Sequence, residues 1–141
     1  MSFDAKKAFR GIRAVFGEDG YEKLRNAHVL VIGVGGVGSW LSETLCRSGV
    51  GELSLIDSDI IESSNTNRQL HTSVSNDGLY KVDVLAKRFL DINPEIKLHA
   101  IKIRLTPDNI SNILVDCPQY VAEAIDDIHA KAYTDHFLYK K

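Results

Sequence analysis

Four glycines fall within six residues, at Gly33-Val34-Gly35-Gly36-Val37-Gly38. Few folds tolerate such a run next to a core, and its flanks narrow the choice. Before it stands His28-Val-Leu-Val-Ile32, a short, β-branched apolar run that reads as a buried strand. After it, Val37, Trp40, Leu41, Thr44 and Leu45 fall at helical spacing and mark the expected inner face of a helix that stops at Gly49. The unit is strand, tight turn, helix. Glycines let its backbone turn sharply and approach a ligand, and the helix start offers free N–H groups and partial positive charge.

The rest of the chain repeats the alternation. Ala8, Ile12, Val15 and Phe16 predict an amphipathic helix over 5–16, ending near Gly17, and a short helical piece follows at Gly20–Arg25. Leu53–Ile56 predicts a second strand closed by Asp57. Residues 58–77 are rich in Ser, Asn and Asp and read as loop. A helix over 78–92 carries Val82, Leu85 and Phe89 inward and ends at Asn93-Pro94. Ile96–Ile103 predicts a third strand, and Thr106-Pro107 a helix start with Ile110, Ile113 and Leu114 buried. Tyr120–Ile125 predicts a fourth strand and 128–139 a last helix. The expected fold is Rossmann-like α/β: a doubly wound, mainly parallel sheet with helices on both faces. Residues 1–27 would be a helical segment and 28–141 the ligand-binding domain. Ligands in such sheets bind beyond the C-terminal strand ends, here just after Ile32, Ile56 and Ile125.

The chemistry follows from those ends. The glycine turn reads as a phosphate cradle, with Gly33, Gly35, Gly36 and Gly38 as its parts; the alternative is a plain tight turn. Asp57, 19 residues past Gly38, has the spacing of an acid that accepts hydrogen bonds from ribose hydroxyls, or is a strand-end cap. Asp59 either orients the next loop or is solvated. To this point a nicotinamide-dependent oxidoreductase would serve equally well. The loop Asn65-Thr-Asn-Arg68-Gln69 and the helix-opening Lys81 point elsewhere. Cations converging on phosphates suit a reaction that cleaves a triphosphate, because charge shifts between oxygens in the transition state. Arg68 can fork onto two oxygens and Lys81 act as a point charge, whereas elsewhere such cations are merely solvated. After the fourth strand, Glu123-Ala-Ile-Asp126-Asp127 offers a carboxylate for Mg²⁺, or a cap for the last helix from Asp126 or Asp127.

Composition removes other classes. A formal net charge of -2 gives no broad basic field. The two cysteines, Cys46 and Cys117, form no C-x-x-C, so no four-thiolate metal site or disulfide framework is expected, and both read as small buried residues. Met1–Lys7 lacks the pattern of a secretion signal, and no apolar stretch reaches membrane-spanning length, so a cytoplasmic setting without membrane insertion is expected.

Taken in order, G-x-G-G-x-G, D-x-D, N-x-N-R-Q, a helix-opening Lys and A-x-D resemble the ubiquitin-activating-like adenylating enzymes, the ThiF/MoeB/HesA family, from about residue 10 to residue 131. Within it, Asn65–His71, Ile92-Asn-Pro94 and Thr106–Asn109 look most like the branch that dehydrates threonylcarbamoyladenosine in tRNA. The resemblance implies ATP and Mg²⁺ as cofactors and adenylation of a free carboxylate, which is then attacked intramolecularly with loss of AMP. It implies tRNA as substrate, with a ubiquitin-like or sulfur-carrier protein as the alternative. By position it implies that Gly35 and Gly36 approach the phosphates and that Asp57 binds ribose. Asn65, Arg68 and Lys81, with Gln69 beside them, would contact the nucleotide, and Asp126 would hold Mg²⁺. It further implies a homodimer in which Arg10 or Arg13 reaches the partner's ATP. One departure is Glu123 where the family usually has Asp. Family members also continue for roughly a hundred residues beyond this kind of ending, so the resemblance covers the nucleotide half, and a binding or dimerisation module without activity is the other reading.

Overall fold

The computed structural model describes residues 2–114 and 118–139. Four strands, β1 (His28–Ile32), β2 (Glu52–Ile56), β3 (Lys97–Ile101) and β4 (Tyr120–Glu123), form one parallel sheet in the order β3-β2-β1-β4. The helices are α1 (Ala5–Ala8), α2 (Arg10–Arg25), α3 (Gly38–Arg47), α4 (Lys81–Ile92), α5 (Ile110–Ile113) and α6 (Ile128–Leu138). The strand order reverses between β1 and β4, which opens a crevice at their C-terminal ends. The Rossmann-like reading therefore holds.

Strand periodicity explains the two cores. Val29 and Val31 of β1, with Leu53 and Leu55 of β2, face Cys46, Val82, Leu85 and Phe89 of α3 and α4. The alternate residues Leu30, Ile32 and Ile56 face Ile110, Leu114, Tyr133 and Phe137 on the side of α5 and α6. Val82, Leu85 and Phe89 are fully buried, as their spacing predicts, and each contributes about 1.5–3 kcal/mol by leaving water.

Several elements differ from the sequence reading. The N-terminal helix does break at Gly17, where φ is 72°, but its expected inner face is outward: Val15 is 75% and Phe16 59% exposed. Phe9 and Tyr21 are buried instead and stack against each other over Gly49, whose own φ of 84° excludes an ordinary side chain. The inner face of α3 is also rotated from the apolar stripe. Val37 and Trp40 are exposed, while Ser39, Ser42, Glu43 and Cys46 are buried. The reason is close approach: Ser39 donates to the Gly35 carbonyl and accepts from the Leu70 amide, and Glu43 takes Arg88 of α4. Helix α4 begins at Lys81 rather than 78, because residues 78–80 pair back onto 59–61 through Ile61 N–H to Leu79 O (2.8 Å) and Gly78 N–H to Ile61 O (2.9 Å). Helix α5 is a single turn that starts after Asn109 rather than Thr106; no side chain caps it, and the Asn109 Oδ1 instead accepts from the Thr106 amide at 2.8 Å. The loop over 58–77 carries two 3-10 turns, Ser63–Asn65 and Val74–Asn76.

Cys46 is fully buried near the Phe89 carbonyl, and burial pushes its thiol up to about 11, so it is an inert core residue. Cys117 lies outside the described residues. Among the described residues no helix is long and apolar enough to cross a membrane.

Candidate functional site

The crevice between β1 and β4 opens into a cleft of about 770 Å³. Gly33, Gly35, Gly36, Asp57, Asp59, Arg68, Gln69, Lys81 and Asp126 all line it, although they come from five segments of the chain. Gly38 and Asn65 do not line it.

The glycines have distinct jobs. Gly33 leaves β1 with φ 85°, and a Cβ there would meet the Ala124 carbonyl at 2.9 Å, so the turn packs directly on the end of β4. Gly38 sits behind the cleft at the start of α3. A Cβ there would lie 1.8 Å from the Gly33 carbonyl, so its absence lets the helix close on the strand end. At Gly35 and Gly36 a Cβ would meet only ordinary contacts, with Gln69 and Arg68 side chains at 3.6 Å. Those two form the open floor of the cradle.

Asp57 leaves β2 half-buried and turns its carboxylate onto backbone. One oxygen accepts from the Val34 amide at 2.9 Å and the other from the Asp59 amide at 2.8 Å. A carboxylate has about four acceptor positions, so two bonds leave capacity for a ligand hydroxyl. The back-pairing of 78–80 on 59–61 brings Lys81 beside Asp59, with Nζ 3.3 Å from a carboxylate oxygen. The Lys81 side chain is only 7% exposed and that of Asp59 68%, so Asp59 neutralises a buried ammonium from the solvent side. The Arg68 side chain is exposed and, among the described residues, bonds only oxygens of its own loop, Ser64 O at 3.3 Å and Asn67 Oδ1 at 3.0 Å. The Gln69 Oε1 is buried without a hydrogen-bond partner among the described residues, an acceptor that a bound donor would satisfy.

Asn65 is placed differently from expectation. It is buried, and its Oδ1 accepts from the Glu62 amide at 3.0 Å, with the Glu62 side chain answering in a reciprocal cap. It shapes the loop that carries Arg68. At the β4 end the two candidate caps separate. Asp127 caps α6, accepting from the His129 and Ala130 amides at 2.9 and 3.3 Å, and these bonds, with Arg104 nearby, hold its carboxyl below the usual range. Asp126 is thereby left exposed at the cleft wall. Among the described residues no three His, Cys, Asp or Glu side chains converge into a metal cage. The donor set instead suits a hard cation held by one carboxylate plus a ligand's own oxygens.

The sequence reading missed three contributors. Arg104 and Lys131 line the cleft and pair with Asp127 (3.1 Å) and Glu123 (3.6 Å). His71 lies behind the glycine turn, 2% exposed, with Nε2 2.9 Å from the Val34 carbonyl. Burial holds its pKa below the ordinary 6.5, Lys81 adds to this, and the Val34 carbonyl and Asp57 oppose it. No local pattern marks such a residue, because its partner is a backbone atom far away in sequence.

The arrangement offers a cradle of backbone N–H groups, the cations Arg68 and Lys81 beside the glycine turn with Arg104 and Lys131 on the opposite wall paired to carboxylates, an exposed carboxylate and an unpaired amide oxygen around one crevice, a set suited to a nucleotide polyphosphate. Comparison with known proteins agrees. The family model described as "ThiF family" matches residues 9–141. The tRNA threonylcarbamoyladenosine dehydratase of Escherichia coli is 40% identical over 127 residues, covering 90% of this chain and 47% of that protein. Its Haemophilus influenzae counterpart is 43% identical over 127 residues, covering 90% of this chain and 49% of the relative. The crystal structure of the E. coli enzyme in complex with ATP superposes with a TM-score of 0.95 at 36% identity, covering 99% of this chain and 58% of that one. The chain thus spans about half the length of the curated relatives it matches. With the glycine turn, the parallel sheet and this match in hand, the chain belongs to the ThiF family.

Proposed function

We propose that this chain forms the ATP site of an enzyme that adenylates a carboxylate, and that its reaction is cyclisation of N6-threonylcarbamoyladenosine at position 37 of tRNA. The observation that carries the reading is the convergence of Gly33, Gly35, Gly36, Arg68, Lys81 and Asp126 on one cleft at the β1/β4 switch point. The ATP complex of the E. coli relative supports the nucleotide, and the two dehydratase relatives support the substrate. Residues 28–141 would be the ATP-binding domain and 1–27 a helical segment attached to it.

In this mechanism Gly35 and Gly36 admit the phosphates against the backbone, and Asp57 accepts from the ribose hydroxyls with its remaining lone pairs. Lys81 is pre-aimed by Asp59, and binding of a phosphate shares that cation between two anions. Arg68 leaves its weak loop contacts to fork onto phosphate oxygens. The substrate carboxylate oxygen forms a bond to the α-phosphorus as the bond to pyrophosphate breaks, and the charge that builds on the leaving group meets Lys81 and Arg68. In the second step an intramolecular nucleophile closes the ring and AMP departs. Asp126 would hold Mg²⁺, which when bound neutralises phosphate charge beside the α-phosphorus. Gln69 would give its orphaned Oε1 to the nucleotide, and Asn65 would act from behind by fixing the Arg68 loop.

We assign the active form as a cytoplasmic homodimer. Arg13 is committed to its own chain, bonded to Glu18 and lying 5.9 Å from the Tyr21 ring. Arg10 is exposed and forms no ion pair among the described residues, so it is the candidate for reaching the partner's ATP.

The test is ATP–pyrophosphate exchange with threonylcarbamoylated tRNA. Arg68→Ala and Lys81→Ala should fold normally, since the Arg68 side chain bonds only its own loop among the described residues and the Asp59 left behind is solvated. Each should lose roughly 2–4 kcal/mol of transition-state stabilisation. Wild-type exchange in both variants, or tighter binding of NAD than of ATP, would refute the assignment.

A further inference from the structure

Three consecutive residues of the glycine turn are held from three directions. The Gly33 amide donates to the Ile56 carbonyl at 2.8 Å, and the Gly35 carbonyl accepts from the Ser39 amide at 3.1 Å. Between them, Val34 is 0% exposed and gripped on both sides: its N–H donates to Asp57 Oδ2 at 2.9 Å, and its carbonyl meets His71 Nε2 at 2.9 Å. A carbonyl only accepts, so Nε2 carries the proton and donates it.

The Val34 carbonyl shares one planar trans peptide unit with the Gly35 N–H, and in such a unit the two point in opposite directions. By drawing the carbonyl inward, His71 turns the Gly35 N–H outward. Gly35 lines the cleft, and its N–H has no hydrogen-bond partner among the described residues. The unit is also one that can rotate easily, because the residue on its far side is a glycine. A flip would replace a donor by a carbonyl oxygen facing the phosphates.

We infer that His71 is a positioning residue for the nucleotide site: it latches the Val34–Gly35 peptide so that the Gly35 N–H faces the bound phosphates. It touches no ligand itself and acts through the backbone. The inference rests on the ATP-site reading above and goes beyond it by assigning a residue that lines no part of the cleft. Asp57 is the opposite jaw of the same clamp, which couples the ribose-binding carboxylate to the phosphate cradle through one residue.

The test uses the whole chain with His71→Leu, which removes the donor, and His71→Gln, whose amide N–H has about the same reach. Affinity for ATP and for adenosine, which lacks phosphates, is measured by NMR titration, and thermal stability is followed without ligand. The latch predicts that His71→Leu loses about tenfold or more in ATP affinity while adenosine binding stays within about twofold, and that His71→Gln recovers most of the loss. Equal weakening of both ligands would overturn it, as would unchanged ATP affinity. Should His71→Leu fail to fold, the Gly35 amide resonance of the 15N-labelled wild-type protein decides: it should move strongly when ADP is added, and an unmoved resonance with ADP bound refutes the latch. A wild-type chain that binds neither ATP nor ADP refutes the ATP site itself, whereas normal wild-type binding with an indifferent His71→Leu refutes the latch alone.

Discussion

Gly38→Ala isolates the packing of helix on strand from the chemistry of the cradle. The added Cβ would stand 1.8 Å from the Gly33 carbonyl oxygen, 2.8 Å from its carbon and 3.3 Å from the Ala124 Cβ. The first two are backbone atoms, so no side-chain rotation relieves the clash. The carbonyl would need to retreat by roughly 1 Å, and Gly33 is tied to Ile56 and packed on Ala124. Overpacking of this kind costs about 1–3 kcal/mol, and the rigid partner places this case at the upper end. The better helix propensity of alanine returns at most about 1 kcal/mol, and less at the first helical residue. A net loss of about 2 kcal/mol should lower Tm by roughly 6–10 °C. Gly36→Ala is the control. Its Cβ would meet Arg68 side-chain carbons at 3.6 Å and the Arg68 carbonyl oxygen at 3.9 Å, both ordinary contacts, so stability should stay within about 0.5 kcal/mol of wild type. Urea and thermal unfolding of the three proteins measure this. Equal stability of Gly38→Ala and wild type would refute the claim that the helix closes on the strand end.

Other outcomes follow from the charges. Because the folded chain holds the His71 pKa below 6.5, the unfolded chain takes up that proton first on acidification. Its contribution is therefore full above about pH 6.5 and is lost as pH falls toward the folded value. His71→Gln should lack that part of the loss when urea midpoints at pH 7.5 and 5.5 are compared, and equal losses would exclude it. Glu43 is held below its ordinary 4.5 by hydrogen bonds from Arg88 first and Arg47 next, with burial opposing. That stability is present above pH 4.5 and lost as pH falls through the folded value. Glu43→Gln should cost about 1–2 kcal/mol at pH 7 and flatten the acid limb of the unfolding curve. Asp57→Asn should weaken both adenosine and ATP, with the larger loss for ATP, since it loosens both the ribose contact and the Val34 clamp; unchanged adenosine affinity would remove the ribose role.

What was legible in the sequence was whatever a local period or spacing encodes. The strand His28–Ile32, the glycine turn and the inward Val82, Leu85 and Phe89 each carry their own signal, and the structure places them accordingly. The buried face of α3 was not legible, because Ser39, Ser42 and Glu43 are buried by polar contacts with the Leu70 amide, neighbouring carbonyls and Arg88. Asn65 shows the limit at the site. Its chain position matches a phosphate contact, while its side chain closes a cap with Glu62 three residues earlier. A loop asparagine offers both roles and only packing chooses. Lys81 was legible as a helix-opening cation, whereas its neutralisation by Asp59 depended on the turn that brings 78–80 back onto 59–61.

Trp40 gives the cradle an optical reporter. It is the single tryptophan of the chain, its ring is half-exposed, and its indole N–H donates to the Arg68 carbonyl at 3.0 Å. Arg68 lines the cleft from the loop that joins β2 to α4. Any ligand that draws that loop inward changes the polarity and hydrogen bonding at the one indole, so emission wavelength and quenching by iodide should follow occupancy without any label.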